Sequence, residues 1–315
     1  MRTLNSIQEL VEVPGPVALA IGVFDGVHPG HQEVIRAAQE HAHQHQGTAV
    51  VMTFEPHPMS VLAPGSTPPR LCSLDHQKKL LEGIGVTHLL ICPFTAEFAE
   101  TEASVFLDRL IGAASPLGCI SVGYGWRFGR HGAGDVQMLM ERGQEDGFAV
   151  YGVPVLTLDG EVISSTRIRE AVKEGRFADA NRLLGRPYSV LGMVSRGQQL
   201  GRTIGFPTAN VETEDGLVPP NGVYAVQAFA EGRWRDAVAN LGTRPTVSDG
   251  EPSLRLEVHL FDFHGDLYDC EMEVCFIRKL RDEQRFDGLD ELKAQIARDA
   301  EKARTVLAAE RFFDA

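Results

Sequence analysis

Two histidines three residues apart close the stretch Ile21-Gly22-Val23-Phe24-Asp25-Gly26-Val27-His28-Pro29-Gly30-His31. An apolar run ends here, a glycine-bearing turn follows, and a helix is expected from about His31 to His45. Such a turn leaves backbone N–H groups free at a helix N-terminus, where anions are favoured. With His28 and His31 beside it, the turn suits nucleotide phosphates and the charge that builds on a leaving pyrophosphate. Taken alone, His-x-x-His more often marks an ordinary strand-to-helix turn. No further Cys or His cluster supports the third reading, a zinc site. A second stretch, Ile163-Ser164-Ser165-Thr166-Arg167-Ile168-Arg169, doubles a helix cap and follows it with two arginines in the first turn. Arginine there opposes the helix dipole. That cost, without structural return, points to a bound anion.

The second half carries a different set. Gly197, Gly201 and Gly205 precede Pro207-Thr208-Ala209-Asn210. Glycine lets backbone approach a ligand closely, and Thr208 and Asn210 offer neutral oxygens suited to a hard cation such as Mg²⁺. The glycines by themselves equally fit a hairpin loop, and the Gly-Lys-Ser/Thr ending of a P-loop is absent. Glu257 is a carboxylate able to take a hydroxyl proton. Its structural alternative is a strand-end acid paired with an arginine.

The elements that must position these groups divide into two patterns. In the first half, apolar runs at 17–23, 48–54, 88–92, 119–122 and 148–156 alternate with helical spacing at 31–45, 74–83, 102–111 and 135–142. This alternation implies a doubly wound parallel sheet covered on both faces, with ligands beyond the C-terminal strand ends. After Gly185-Arg186-Pro187 short β-rich runs take over at 188–195, 223–229, 237–241, 254–260 and 270–277, with turns such as Pro219-Pro220-Asn221-Gly222 and Ser248-Asp249-Gly250. Their spacing suggests an antiparallel barrel or sandwich. An amphipathic segment from Leu289 to Ala309 closes the chain as a helix, read as packing against the barrel. The expected domains are 1–184 and 185–315.

Composition agrees with two ordinary globular units. The 315 residues carry 30 basic and 43 acidic side chains, a net charge of -13 that disfavours a polyanion such as nucleic acid as partner. The five cysteines form no Cys-x-x-Cys pair, which argues for a reducing compartment and against a disulfide framework. No apolar run approaches the length of a membrane span, and the N-terminus lacks a signal-peptide core. The expectation is a cytoplasmic protein with no membrane or nucleic-acid partner; a homo-oligomer is compatible with the sequence. His41, His43 and His45 are read as a solvated helix end, and Asp282, Glu283, Arg285 and Asp287 as mixed surface charge.

Together, Gly-x-Phe-Asp-Gly-Val-His-x-Gly-His and Ile-Ser-Ser-Thr-x-Ile-Arg resemble the nucleotidyltransferase family containing bacterial FAD synthetases, over about residues 15–184. Thr53-Phe54-Glu55-Pro56-His57-Pro58 is similar to that family's Thr-Phe-x-Pro-His-Pro loop. The resemblance implies transfer of AMP from ATP to FMN, giving FAD and pyrophosphate. It assigns His28, His31 and Arg169 to catalysis, and Gly22, Phe24, Asp25, Gly26, Ser164, Ser165 and Thr166 to ATP. Phe54, Pro56, His57, Pro58 and Phe128 would shape the flavin end. The chain departs from the family's Gly-x-(Asp or Asn)-Phe-x-Phe-Gly in Gly123-Tyr124-Gly125-Trp126-Arg127-Phe128-Gly129, where a polar side chain is lost at Gly125.

The back half resembles riboflavin kinase to about Arg304. The carrying residues are Gly201 to Asn210, Asn221-Gly222-Val223-Tyr224, Asn240 to Thr246, Glu257-Val258-His259-Leu260, and Arg281 with Glu283 and Phe286. The implied fold is a β-barrel. Gly201, Gly205, Thr208 and Asn210 would bind ATP, Thr208 and Asn210 would hold Mg²⁺, and Glu257 would be the general base. Arg281, Glu283 and Phe286 would bind the flavin. Asp269 stands where that family has glycine. The whole chain thus resembles the prokaryotic bifunctional flavin-biosynthesis family, with riboflavin, FMN, FAD and ATP as ligands. The alternative is a riboflavin kinase with a weakened adenylyltransferase domain.

Overall fold

Apolar residues fill the strands of the first half without alternation because both faces of their sheet are covered. The strands are β1 (Arg2–Leu4), β2 (Val17–Ile21), β3 (Thr48–Glu55), β4 (His88–Pro93), β5 (Leu117–Gly123) and β6 (Ala149–Val153). They pair in parallel in the order β1-β4-β3-β2-β5-β6, and β2 is buried at every position. The computed structural model describes residues 1–114, 116–196, 201, 205–213, 216–244 and 253–313. Gly197, Arg202 to Ile204 and the 248–250 turn lie outside the described residues. β1 has no counterpart in the sequence reading: three residues are too few to show a period, and its register with β4 (Arg2 with His88) is a purely non-local fact.

Helix α1 (Pro29–Gln44) buries Val34, Ile35, Ala38, His41 and Ala42, one face at helical spacing. This corrects the reading of the three histidines. His41 and His45 are four residues apart and share a face; their rings stack at 4.1 Å. His41 is buried with Nδ1 3.0 Å from the Tyr151 hydroxyl, while His43 is exposed. Further helices are α2 (Pro58–Leu62), α3 (Leu74–Gly83), α4 (Ala96–Ala99), α5 (Ala103–Ala113) and α6 (Val136–Asp146). A two-stranded hairpin, β7 (Thr157–Leu158) with β8 (Glu161–Val162), precedes α7 (Ser165–Lys173) and α8 (Phe177–Leu184).

The remaining strands are β9 (Tyr188–Ser195), β10 (Ala209–Thr213), β11 (Gly222–Ala230), β12 (Arg233–Arg244), β13 (Ser253–Leu260) and β14 (Glu271–Arg281). They close an antiparallel barrel in the order β10-β13-β12-β11-β14-β9. β11 is buried on nearly every residue. Its Val223 and Ala225 pack in one cluster with Ala303 and Leu307 of the terminal helix, Leu289–Ala309. Helix α8 also belongs to this body: Phe177 stacks on Phe276 at 5.4 Å, and Asn181 donates to the Phe276 carbonyl and accepts from the Tyr188 N–H. Asp269 has φ 60°, the left-handed conformation that glycine adopts freely and aspartate tolerates. The chain forms two compact units, residues 1–69 with 77–164 and residues 70–76 with 165–315.

Candidate functional sites

In the first unit, the sheet order reverses between β2 and β5, and such switch points open a crevice at the carboxyl ends of the strands. Beyond β2 runs the 22–28 turn, and beyond β5 residues 124–129; residues 56–57 join β3 to α2. Phe24, Gly26 and Val27 all have positive φ, at 53°, 79° and 42°. For Phe and a β-branched Val this is strained, and such strain persists where surroundings over-determine it. Three donors and packing contacts do so here. Thr53 Oγ1 and Gln77 Nε2 both donate to the Val23 carbonyl, at 3.0 and 2.8 Å. Gln32 Nε2 donates to the Val27 carbonyl at 3.0 Å. Phe24 is buried with its ring edge-on to His31. Thr53, quoted in the sequence only as part of a motif, and Gln77, which the sequence reading missed, are positioning residues; the polarity of a core-facing position was the signal for Gln77.

His28 is the N-cap of α1. Its Nδ1 accepts the His31 backbone N–H at 3.3 Å, so Nδ1 carries no proton and Nε2 is the donor nitrogen. The His28 and His31 rings stack at 3.5 Å. The first turn of α1 contains no acid. His57 repeats the device, capping α2 by accepting the Met59 N–H on Nδ1 at 3.1 Å. The predicted flavin-end aromatics lie in one ladder: Phe54 contacts Phe94 and Phe98, Phe98 contacts Phe106, and Phe106 contacts Trp126 and Phe128. Phe54 and Phe128 are buried members of the core. Trp126, stacked on Phe128 at 4.9 Å, is only partly buried, and Gly125 is exposed with no atom within 4 Å of where a Cβ would stand.

In the second unit, α7 begins at Ser165. Ser165 and Thr166 occupy its first turn after Ser164, Arg169 is buried, and Thr166 is exposed.

The barrel carries the second set of groups. The Pro-Thr-Ala-Asn motif enters a strand the sequence reading did not assign, β10, whose Asn210 pairs with Glu257 on β13. Glu257 pairs in turn with Asn240 on β12. Directly opposed residues share a sheet face, so the three side chains form a row. Alternation along the strands adds Thr208, Arg255 and His259 to that face. Gly201, Thr208, Asn210, Glu257, Arg281, Glu283 and Phe286 all line one cavity of about 330 Å³. Gly205 is not in its lining. A Cβ on Gly201 would fall 2.3 Å from the Phe206 carbonyl oxygen, so only glycine allows that close approach.

The Asn210 Oδ1 atom is buried and makes no hydrogen bond. A bare, buried amide oxygen beside a threonine hydroxyl and a carboxylate fits the oxygen preference of Mg²⁺. Glu257 faces Arg255 Nε at 3.2 Å, the arginine pairing weighed as its structural role. His259 Nδ1 is 2.7 Å from the Pro207 carbonyl, so Nδ1 carries the proton and ties β13 to the motif. Thr208 also lines a second cavity of about 410 Å³ with Pro207, Phe263, His264 and Tyr268. Arg255, His259 and Asp299 are lining residues that the sequence reading passed over. The first two could have been found from the period-2 spacing around Glu257.

Comparison with known proteins matches the two halves of the chain to two different families. A family model described as FAD synthetase matches residues 11–167, and one described as riboflavin kinase matches residues 184–307. A bifunctional riboflavin kinase/FMN adenylyltransferase of Escherichia coli (strain K12) is 40% identical over 306 residues, covering 96% of this chain and 97% of that one. The protein so described from Bacillus subtilis (strain 168) is 37% identical over 289 residues, 90% of each chain. Among solved structures, one described as a macrolide-efflux protein from Streptococcus pneumoniae superposes with a TM-score of 0.83 at 32% identity, covering 96% of this chain and 98% of that one. Among the described residues no helix is long and apolar enough to cross a membrane.

Proposed function

The chain belongs to the family of bifunctional riboflavin kinase/FMN adenylyltransferases, and from that premise we propose how its residues divide the two reactions. The protein phosphorylates riboflavin with ATP to give FMN, then transfers AMP from ATP to FMN to give FAD and pyrophosphate. The bifunctional reading is favoured over a kinase with a weakened front domain, because the relatives matched across both halves are described by both activities.

Phosphorylation belongs to the barrel, in our reading, with residues 185–315 as its catalytic domain and residues 1–184 as the adenylyltransferase. The observation that carries the kinase assignment is Thr208, which lines both the 330 Å³ and the 410 Å³ cavities. Riboflavin would occupy the first and the nucleotide the second, with the terminal phosphates reaching past Thr208 toward Asn210 and Gly201 on the first cavity's lining, so the transferred phosphoryl group passes beside Thr208. Glu257 takes the proton of the ribityl hydroxyl as the hydroxyl oxygen attacks the γ-phosphorus, the bond to the β,γ-bridging oxygen breaks and ADP leaves. Accepting it requires the pair with Arg255 to loosen. Thr208 and Asn210 would hold Mg²⁺, which when bound neutralises phosphate charge. Gly201 and Gly205 would give the nucleotide backbone contacts, and Arg281, Glu283 and Phe286 would hold the flavin.

For adenylylation, the strained 22–28 turn and the His28 and His31 donors would stabilise phosphate charge, with Gly22, Phe24, Asp25 and Gly26 shaping the turn. Ser164, Ser165, Thr166 and Arg169 form the second phosphate-handling motif. Phe54, Pro56, His57, Pro58 and Phe128 are proposed for the flavin end. Positioning and electrostatics suffice, with no covalent intermediate. Five cysteines with no Cys-x-x-Cys pair support a cytoplasmic setting. Incubation with riboflavin and Mg-ATP followed by chromatography tests the scheme: FMN should appear first and FAD from it. FAD without prior FMN, or neither product, refutes it.

A further inference from the structure

The kinase cavity has a wall that does not come from the barrel. Leu292, Ile296 and Asp299 of the terminal helix line it, facing Arg281 and Phe286. Asp299 is 5% exposed, and its two carboxylate oxygens take Arg281 Nε at 3.0 and 3.1 Å and Nη2 at 2.7 Å. Gln295 adds a donor to the same carboxylate at 2.9 Å. The remaining guanidinium nitrogen, Nη1, donates to the Asp282 carbonyl at 2.9 Å. All three nitrogens of Arg281 are therefore engaged at their edges, and the guanidinium carbon stands 5.8 Å from the centroid of the Phe286 ring.

An arginine in a kinase site ordinarily serves phosphate through its N–H edges. Here three of the five N–H groups are taken, the Nε–Nη2 fork by Asp299 and one Nη1 N–H by the Asp282 carbonyl, so the edge that would grip a phosphate bidentately is used and the guanidinium offers a ligand chiefly its planar face. We propose that Asp299 is a positioning residue that fixes Arg281 as a flat cationic surface for the flavin ring, with Phe286 as its neighbour, and so makes this wall selective for a planar π-system over a phosphate. The inference rests on the reading that riboflavin occupies this cavity. A buried ion pair of this geometry could also serve only to anchor the helix. Anchoring is already supplied by Ala303 and Leu307 in the apolar cluster and by Lys302, which donates to the Leu280 carbonyl at 3.0 Å.

The test uses the full-length enzyme and follows FMN formation, which reports on the kinase site alone. Asp299→Asn keeps the shape and removes the charge that orients Arg281. The expected result is a rise in riboflavin KM of between about two- and thirty-fold, the range of a cation–π contact. The ATP KM should hold and kcat should change little, as for loss of uniform binding. Lumichrome, the flavin ring without the ribityl chain, is the second probe. Its inhibition constant against riboflavin should rise by the same factor, because the contact is with the ring. Should Asp299→Asn fail to fold, Asp299→Glu moves the carboxylate by one methylene and must raise both constants. Unchanged riboflavin KM and lumichrome inhibition in a folded variant overturn the proposal, as does a loss seen with riboflavin but not with lumichrome. Ile296→Trp separates this from the underlying reading. If filling the cavity leaves the riboflavin KM at the parent value, the cavity is not the flavin site and both ideas fail. If it abolishes binding while Asp299 variants are silent, only the positioning role falls.

Discussion

Replacing Glu273 should destabilise the second unit strongly. It lies on β14 with its Oε1 3.2 Å from His76 Nε2 and 2.7 Å from Ser189 Oγ. Burial raises its pKa, but His76, Ser189 and the nearby Arg186 outweigh that and hold the carboxyl below the ordinary value of 4.5. Burial pushes the Arg186 guanidinium the other way, below its usual range, and its Nε and Nη1 are buried without hydrogen bonds. Glu273→Gln keeps an acceptor for Ser189 and removes the charge that offsets Arg186. Removing one partner of a buried pair costs about 3–5 kcal/mol. Gln conserves shape, so the lower end applies. For a unit of roughly 150 residues, ~3 kcal/mol lowers Tm by about 6–12 °C. The chain has two tryptophans, and Trp234 stacks on Phe313 at 3.9 Å within the second unit. In a Trp126→Phe background, indole fluorescence therefore reports that unit alone. The pH sign is fixed by the depressed carboxyl: its contribution is full above the ordinary value of 4.5 and is lost as pH falls through the lower folded value. The gap between parent and variant should close on acidification from pH 7 to pH 3. A gap under ~1 kcal/mol at pH 7, or one that does not narrow with acid, refutes the charge argument.

Other outcomes follow from the two sites. Glu257→Ala should abolish FMN formation from riboflavin and leave adenylylation of supplied FMN nearly intact; equal loss of both activities in a folded variant would defeat the two-site scheme. His28→Ala should cut adenylylation by ~2.7–4 kcal/mol in transition-state stabilisation while riboflavin still becomes FMN, read from the two product time courses. Gly125→Asn has open space for its side chain and should shorten the lag before FAD by several-fold, about 1 kcal/mol for one neutral hydrogen bond; an unchanged lag removes Gly125 as the limiting feature. A fragment beginning at Ser165 should melt well above one beginning at Gly185, because the shorter piece lacks Phe177, and large-to-small loss of a buried phenylalanine alone costs about 3–5 kcal/mol. Equal melting points would mean α8 contributes little to the barrel.

Much of this was legible in the chain, and the exceptions have physical causes. The parallel strands and the terminal helix were read from period and length because burial on both faces, or on one helical stripe, leaves a direct mark. β1 and β10 left none: one has three residues, and the other is masked by Pro207 and by polar residues kept for chemistry. The Glu257 row was half readable, since residues two apart on a strand must share a face, but Asn240 enters it only through barrel closure. Asp299 was invisible. It sits 18 residues after Arg281 on a helix whose spacing spoke only of packing, and nothing local distinguishes it from the acids around it. The histidines at 41 and 45 were misjudged by weighing neighbours two apart instead of the pair four apart.

The chain passes between its units three times, at 69/70, 76/77 and 164/165. This sets an order in time during synthesis. His76 is made 113 residues before Ser189 and 197 before Glu273, both of which meet its Nε2. At ~5–20 residues per second, the first interval alone is roughly 6–23 s and the second about 10–39 s. Throughout it, Leu71, Cys72 and His76 are committed to a barrel that does not yet exist, while the residues on either side are already needed by the parallel sheet. A ribosome pausing after residue 164 would therefore hold a parallel sheet complete in sequence while residues 70–76, Leu71, Cys72 and His76 among them, wait for a barrel not yet made.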